Sequence, residues 1–153
     1  MKMLINGEWC DAASGKVFEV RNPATGDLIE EVPFGNEDDV RAAVEAAGEA
    51  FADWSTKDPR VRSKILLFAA TEVRRRNTEL GTLLTTEQGK PIREAVDEIN
   101  GFANILEYYH ALSAREQGEY LKIRGYGHAA VQRRPLGICG AIIPWNMPAI
   151  IMG

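Results

Sequence analysis

Alternating apolar and polar positions near the amino terminus predict two β-hairpins. In the first, MLI and EW flank Asn6-Gly7, a pair that supplies the positive φ angles of a tight two-residue turn. In the second, the alternating segment 16–21 (KVFEVR) and the segment 28–32 (LIEEV) flank NPATGD, which is dense in turn-forming residues. We therefore expect short antiparallel strands throughout this part of the chain.

Apolar residues at helical spacing then predict two helices. Asn36 is placed to cap the first, which runs to about Trp54, and the three acidic residues after Asn36 suit its positive end. Asp58-Pro59 opens the second helix, because proline is tolerated at the first helical position. Arg74 to Arg76 lie in its last turn. A solvated helix end is the commoner role for such arginines, and phosphate binding is the alternative.

Two further helices are expected before residue 118. Thr78 is the predicted cap of the third helix, which Gly89 ends. The fourth is long and runs from about Pro91 to about Gln117, with Gly118 closing it. Its apolar stripe consists of Ile92, Val96, Ile99, Phe102, Ala103, Leu106 and Tyr109.

The segment after this helix alternates again and predicts a β-ribbon. Residues 120–124 and 128–134 flank the turn Gly125-Tyr126-Gly127. The apolar positions of this ribbon have no evident cover within the sequence. We therefore expect an edge that pairs with another element or subunit.

The last apolar segment, 136–143 (LGICGAII), has a different pattern. It is apolar on both faces, which predicts a strand buried in a parallel sheet. A parallel pair needs a crossover helix and a second strand, and neither follows within the 153 residues. We therefore expect an α/β chain whose last strand has no sheet to enter and exposes apolar surface that favours association.

Composition excludes several classes of function. With 45% hydrophobic and 26% charged residues and a net charge of −4, the chain is typical of a soluble globular protein, without the basic excess that binds nucleic acid or an anionic membrane. No apolar run is long enough to span a membrane, and the amino terminus lacks the apolar core of a signal peptide. Cys10 and Cys139 are far apart and lack metal-ligand spacing. We expect a cytoplasmic location.

Asn146 is the candidate for chemistry. Ligands of open α/β sheets bind just beyond the carboxyl ends of strands, and the loop after residue 143 has this position. Pro144 and Pro148 stiffen the loop. A rigid, uncharged amide that donates N–H groups is suited to an oxyanion hole. From the residues alone, a plain turn-forming role for Asn146 is the commoner alternative.

Several segments resemble one family. IIPWNMP at 142–148, preceded by RPLGICG at 134–140, resembles the start of the cofactor domain of the aldehyde dehydrogenases. INGEW at 5–9 and NPATGD at 22–27 resemble that family's opening hairpin and first turn. EQGKPIREA at 87–95 is most similar to the succinate-semialdehyde dehydrogenase branch. The segments occur in the family's order along nearly the whole chain.

The resemblance implies the amino-terminal part of the aldehyde dehydrogenase fold. Residues 1–118 would form the hairpins and helices of the cofactor-binding region, and residues 119–135 an oligomerisation-type β-ribbon. Residues 136–153 would hold the first strand and the PWN loop of a Rossmann-like cofactor domain, which is incomplete here.

The resemblance also implies an activity, the NAD- or NADP-dependent oxidation of an aldehyde to a carboxylic acid, with succinate semialdehyde as the expected substrate. In this family a cysteine thiolate attacks the aldehyde, and Asn146 matches the asparagine that stabilises the resulting oxyanion. The positions that match the cofactor cleft are Ile142, Ile143, Pro144 and Trp145.

Two further sets of residues follow from the resemblance alone. Phe102, Met147 and Ile150 fall near positions that line the aldehyde tunnel, although ordinary core packing is an equal alternative. Val20, Arg21 and Glu87 fall near a site that holds a monovalent cation in some members.

The family's nucleophilic cysteine and general-base glutamate lie beyond the PWN motif, outside these residues. Cys139, in an apolar segment, is expected to be an inert core thiol, and Cys10 lies in the opening hairpin. We therefore expect the chain to be inactive by itself. Its expected partners are a small-molecule aldehyde and either further copies of itself or a complementing chain. The alternative function is an interaction module that complements a chain carrying the catalytic half.

Overall fold

The chain forms helices and paired strands in separate groups. The computed structural model describes residues 1–113, 115 and 118–153. These residues form three two-stranded antiparallel sheets and five helices. The elements are β1 (Met3–Ile5), β2 (Glu8–Cys10), β3 (Val17–Arg21), β4 (Leu28–Pro33), α1 (Glu37–Thr56), α2 (Pro59–Arg75), α3 (Asn77–Gln88), α4 (Ile92–Ser113), β5 (Glu119–Ile123), β6 (Gly127–Val131) and α5 (Pro148–Met152).

The two predicted hairpins are confirmed. In β1–β2, Asn6 and Gly7 form the turn with φ angles of 53° and 78°, the left-handed values that their sequence predicts. In β3–β4 the register is irregular between Val20 and Arg21. The ribbon β5–β6 is also present, although β6 ends at Val131 and is therefore shorter than predicted.

Asn36 caps α1 as predicted, and the cap extends into a tertiary contact. The Asn36 side chain accepts hydrogen bonds from the Asp38 and Asp39 amides. The carboxylate of Asp39 accepts from the Asn36 amide at 2.8 Å and from the Ala13 amide at 2.8 Å. Asp39 is buried, so this one carboxylate joins the start of α1 to the segment between the two hairpins.

The start of α3 differs from the prediction. Asp58 caps α2 as expected, with its side chain accepting from the Arg60 amide at 2.8 Å. Thr78 does not cap α3, because α3 already begins at Asn77. A single residue, Arg76, separates α2 from α3, so Thr78 is inside the helix and its hydroxyl has no cap position to occupy. Gly89 ends α3 with a φ of 76°, as predicted.

The core lies between α4 and the two helices before it. Ala70, Ala95 and Ala103 are fully buried, and these small side chains let the helices approach closely. Leu84 and Ile99 complete the cluster between α3 and α4, which Ala149 of α5 also joins. The predicted helix to about residue 117 is described as far as Ser113; residues 114, 116 and 117 lie outside the described part.

The predicted strand at 136–143 is wrong for this chain. The segment forms no ladder with any described strand, and its side chains are open to solvent: Leu136 is 94% exposed and Ile142 is 100% exposed. A strand exists only through hydrogen bonds to a neighbour, and the described residues supply none here. Cys139 is accordingly an exposed thiol and not the core thiol that the apolar pattern predicts.

Gly81 marks the closest approach of α3 to α4 and gives a packing test. A methyl group added there would lie 2.6 Å from Val96 Cγ2 and 3.2 Å from Val96 Cα. Because the backbone of α4 cannot retreat without opening the core, we expect Gly81→Ala to lower the free energy of unfolding by about 1–3 kcal/mol, measured by urea denaturation. The control is Gly48→Ala in α1, which meets only Ile138 Cδ1 at 3.5 Å and should gain up to about 1 kcal/mol from helix propensity. Equal effects of the two substitutions would contradict this account.

Candidate active-site loop

The loop around Asn146 is held against the end of α3 and the start of α4. Residues 145–147 form a turn, and Pro148 begins α5. The Gln88 side-chain amide donates a hydrogen bond to the Trp145 carbonyl. The Lys90 ammonium donates to the Asn146 carbonyl at 2.9 Å. Side chains distant in sequence therefore fix two consecutive carbonyl groups of the loop.

A buried ion pair supports this contact. Lys90 Nζ is hydrogen-bonded to Glu98 Oε2, and the Glu98 side chain is only 1% exposed, compared with 16% for that of Lys90. The other oxygen of Glu98 accepts from the Ala149 amide at 2.9 Å. A buried carboxylate needs such partners, because an unpaired buried charge is strongly destabilising.

Glu98 also replaces a missing helix cap. The first amides of a helix lack partners inside the helix. Met147, the residue before α5, makes no side-chain cap, whereas the Glu98 carboxylate reaches the Ala149 amide from α4. The negative charge suits the positive end of α5. The pair therefore holds the main chain at Asn146 and at the start of α5.

Lys90 and Glu98 were missed as site residues by the sequence interpretation. The signal for Glu98 was present: it lies three residues after Ala95 and one before Ile99, on the buried stripe of α4, where an acidic residue is exceptional. Lys90 carried no comparable signal, since lysine after a helix-ending glycine is common. Only the fold brings its side chain to Glu98.

The side chain of Asn146 is exposed. Its amide group makes no hydrogen bond within the described part of the chain. The turn at 145–147 is held through backbone carbonyls and not through this amide. Both N–H donors of Asn146 therefore face solvent on a loop whose backbone is fixed.

The residues expected to line a cofactor cleft precede Asn146 directly and are all exposed. Trp145 is 82% exposed, and Ile142, Ile143 and Pro144 continue the apolar surface toward the start of the loop. An exposed apolar strip of this kind is suited to be covered by a ligand or another part of a protein.

Two of the three residues expected at an aldehyde tunnel meet at the contact between α4 and α5. The Ile150 side chain lies over Gly101, the neighbour of Phe102, and Phe102 packs against both buried clusters of the core. Met147 is exposed and lies beside Asn146 in the turn. Phe102 therefore packs in the core, whereas the Met147 side chain is accessible to a ligand.

The three residues expected near a cation are spread over two elements. Val20 and Arg21 lie at the irregularity of β3, where the Arg21 guanidinium bonds Glu19 and the Gly26 carbonyl. Glu87 is exposed in the last turn of α3. Within the described ranges, no group of three or more histidine, cysteine or acidic side chains could hold a metal ion.

The arginines at the end of α2 are engaged in ion pairs. Arg74 bonds Glu107 of α4, Arg75 bonds Glu72, and Arg76 bonds Glu79. The hydrogen bonds from these arginines lower the pKa values of the three carboxyl groups. A solvated helix end agrees with this arrangement better than a phosphate site does.

The described residues combine antiparallel hairpins, a helical core and an exposed asparagine amide on a loop held by distant side chains. Residues 9–153 match the aldehyde dehydrogenase family, and the chain belongs to that family, whose members are oxidoreductases. Within the described part of the chain, no helix is long and apolar enough to cross a membrane.

Two curated relatives are similar over nearly the whole chain. Succinate-semialdehyde dehydrogenase [NADP(+)] GabD of Escherichia coli (strain K12) is 37% identical over 154 residues, which are 97% of this chain and 31% of that protein. D-glyceraldehyde dehydrogenase (NADP(+)) of Picrophilus torridus is 37% identical over 153 residues, which are 99% of this chain and 31% of that protein. The chain thus spans about a third of the length of these relatives.

A solved structure shows the same relation. The crystal structure of succinate-semialdehyde dehydrogenase from Burkholderia pseudomallei superposes with a TM-score of 0.94 at 37% identity, over 99% of this chain and 32% of that one. The mixed α/β architecture described above is therefore part of the aldehyde dehydrogenase fold.

The buried ion pair gives a stability test. Lys90→Met leaves the Glu98 carboxylate buried without its cation, so we expect the free energy of unfolding to fall by about 3–5 kcal/mol in urea denaturation. Arg74→Met is the matched control, because the Arg74–Glu107 pair is about 40% exposed on each side and should contribute less than about 1 kcal/mol. Similar losses of unfolding free energy in both variants would show that the buried Lys90–Glu98 pair contributes no more than an exposed pair.

Proposed function

We propose that these residues form the amino-terminal third of an NAD- or NADP-dependent aldehyde dehydrogenase, with succinate semialdehyde as its aldehyde. The observation that carries the proposal is the exposed amide of Asn146 on a loop braced by Gln88, Lys90 and Glu98. The names of two similar proteins and the EQGKP segment support the choice of substrate. The proposed organisation keeps residues 1–118, 119–135 and 136–153 as its three parts.

In this proposal Asn146 acts on the first chemical step. When a thiolate adds to the aldehyde carbon, the C–S bond forms and the π electrons of the carbonyl move to its oxygen. An N–H donor that is already in place stabilises this oxyanion without reorganising during the reaction. Asn146 meets that requirement because its amide is uncharged and its backbone is fixed.

The proposed cofactor site uses the strip before Asn146. Exposed Ile142, Ile143 and Trp145 fit one wall of a cleft, where they would pack on a planar ring and exclude water from it. Bound NAD or NADP supplies the acceptor for the hydride that leaves the aldehyde carbon. We place Met147 and Ile150 on the aldehyde side, with Phe102 behind them, and keep Val20, Arg21 and Glu87 as the proposed cation site.

The nucleophile and the general base are proposed to lie outside these 153 residues. Cys10 is half-buried in β2, far along the chain from the loop, and Cys139 is exposed on the segment that leads to it. Neither thiol is held by the fold in a position facing the Asn146 amide. Both thiols are free, which supports the proposed cytoplasmic location.

The second candidate is an interaction module that associates with further copies or with a complementing chain. The exposed ribbon favours it: Tyr120, Leu121 and Ile123 of β5 are all exposed, and each strand of the ribbon has one unpaired edge within the described residues. An assembly would cover these side chains. The two candidates differ in whether another chain must supply the catalytic cysteine.

The incomplete site predicts that the purified chain has no turnover. We expect no reduced cofactor when the chain is incubated with NAD or NADP and a panel of aldehydes that includes succinate semialdehyde, followed by absorbance. The reason is that an oxyanion donor without a nucleophile leaves little catalysis. A heat-treated sample is the control, and turnover above it would contradict the proposal.

Asn146 itself can be tested in an active enzyme that contains these residues together with the nucleophile. We expect Asn146→Ala to lower kcat by about 10²–10³-fold with little change in KM, because the lost bond forms only as the oxyanion develops. Asn104→Ala is the control, since Asn104 is an exposed asparagine on α4 that bonds Arg74. An unchanged kcat for Asn146→Ala would exclude the oxyanion role.

A further inference from the structure

We infer that Lys90 and Glu98 are positioning residues that fix the direction of the Asn146 amide. The inference rests on the proposed role of Asn146, but the contacts that carry it belong to the loop itself. Lys90 holds the carbonyl of Asn146, and Glu98 holds the Ala149 amide three residues later. One ion pair therefore fixes the backbone at the turn that presents the amide and at the start of the helix that follows it.

The geometry distinguishes this pair from ordinary core packing. The apolar contacts of α5, through Ala149 and Ile150, fix where the helix lies. They do not act on the carbonyl group of Asn146, whose carbon is bonded directly to the Asn146 Cα. Only a hydrogen bond to that carbonyl limits rotation of the peptide after Asn146, and Lys90 supplies it at 2.9 Å.

The pair is also poorly explained by stability alone. A buried ion pair can often be replaced by apolar residues of similar volume with no loss of stability, whereas removing one partner is strongly destabilising. An apolar pair in the same place would fill the space but could not bond the Asn146 carbonyl or the Ala149 amide. The charged pair therefore differs from an apolar pair in that it fixes the loop by hydrogen bonds.

This difference defines the decisive variant. Lys90→Met combined with Glu98→Leu removes both charges and the hydrogen bonds of the pair to the Asn146 carbonyl and the Ala149 amide, yet keeps the contact apolar and filled. The bond from Gln88 to the Trp145 carbonyl remains. The matched control is Arg74→Met combined with Glu107→Leu, which removes an exposed ion pair between α2 and α4 that does not contact the loop. Both double variants are expected to unfold at a urea midpoint close to that of the unaltered chain. For the first, the reason is that apolar residues can replace a buried pair, and for the second, that exposed pairs contribute little.

The experiment measures the structure of the loop by NMR and not the activity of the protein. In the ¹⁵N-labelled chain, the side-chain amide resonances of Asn146 are assigned by their loss in Asn146→Ala, and hydrogen exchange of the Ala149 amide is followed alongside. We expect Lys90→Met with Glu98→Leu to raise Ala149 exchange at least about tenfold and to change the chemical shifts of the Asn146 side-chain amide, because the backbone that carries it is no longer held in one orientation. Lys90→Arg, which keeps a cation that can bond both acceptors, should restore most of the protection.

Unchanged Asn146 resonances and Ala149 exchange in a folded double variant would overturn the inference, and so would equal changes in the Arg74/Glu107 control. If the double variant loses its helical circular dichroism, Glu98→Gln decides, since it keeps the shape and removes the charge that holds Lys90. The inference then requires shifted Asn146 resonances and fails if they do not move. These measurements do not use turnover. A failure of this inference can therefore be distinguished from a failure of the proposed dehydrogenase activity.

Discussion

The buried pair between Lys90 and Glu98 is the interaction on which the arrangement of the loop depends. Its two ends serve different purposes: the ammonium group reaches the Asn146 carbonyl, and the carboxylate reaches the Ala149 amide. Because Glu98 lies on the buried stripe of α4, the helix core fixes the carboxylate, and the carboxylate in turn fixes the loop. The packing of α2 and α3 on α4 is thereby connected to the position of a single exposed side chain.

Local signals predicted most of the architecture. The Asn6-Gly7 turn, the Asn36 cap and the end of α3 at Gly89 depend on a few neighbouring residues, and all three are confirmed. The prediction that Thr78 caps α3 was wrong, because only one residue separates α2 from α3. Residue propensities do not reveal this short spacing. The family was readable from short motifs in order, and the match over residues 9–153 confirms it.

The parts that could not be predicted depend on distant partners. The apolar pattern of 136–143 predicts a strand that needs a neighbouring sheet. The described residues do not provide that sheet. Leu136 and Ile142 are exposed, as the lack of a sheet predicts, whereas the exposed Cys139 differs from the predicted core thiol. The Lys90–Glu98 contact has the same origin, because nothing in the sequence around Lys90 indicates which carboxylate it will meet. Of the candidate site, the sequence therefore predicted Asn146 but not the residues that contact its loop.

Holding the Asn146 loop with a buried ion pair has a definite physical consequence. Apolar contacts resist separation in every direction about equally, so they locate a segment without fixing the rotation of each peptide. Hydrogen bonds are directional and lose most of their strength when the angle is poor. An oxyanion donor needs a direction as well as a position, since its benefit depends on where its N–H groups point as charge develops. A pair that combines burial with two directional bonds satisfies both needs, at the cost of a core that tolerates the loss of neither partner alone.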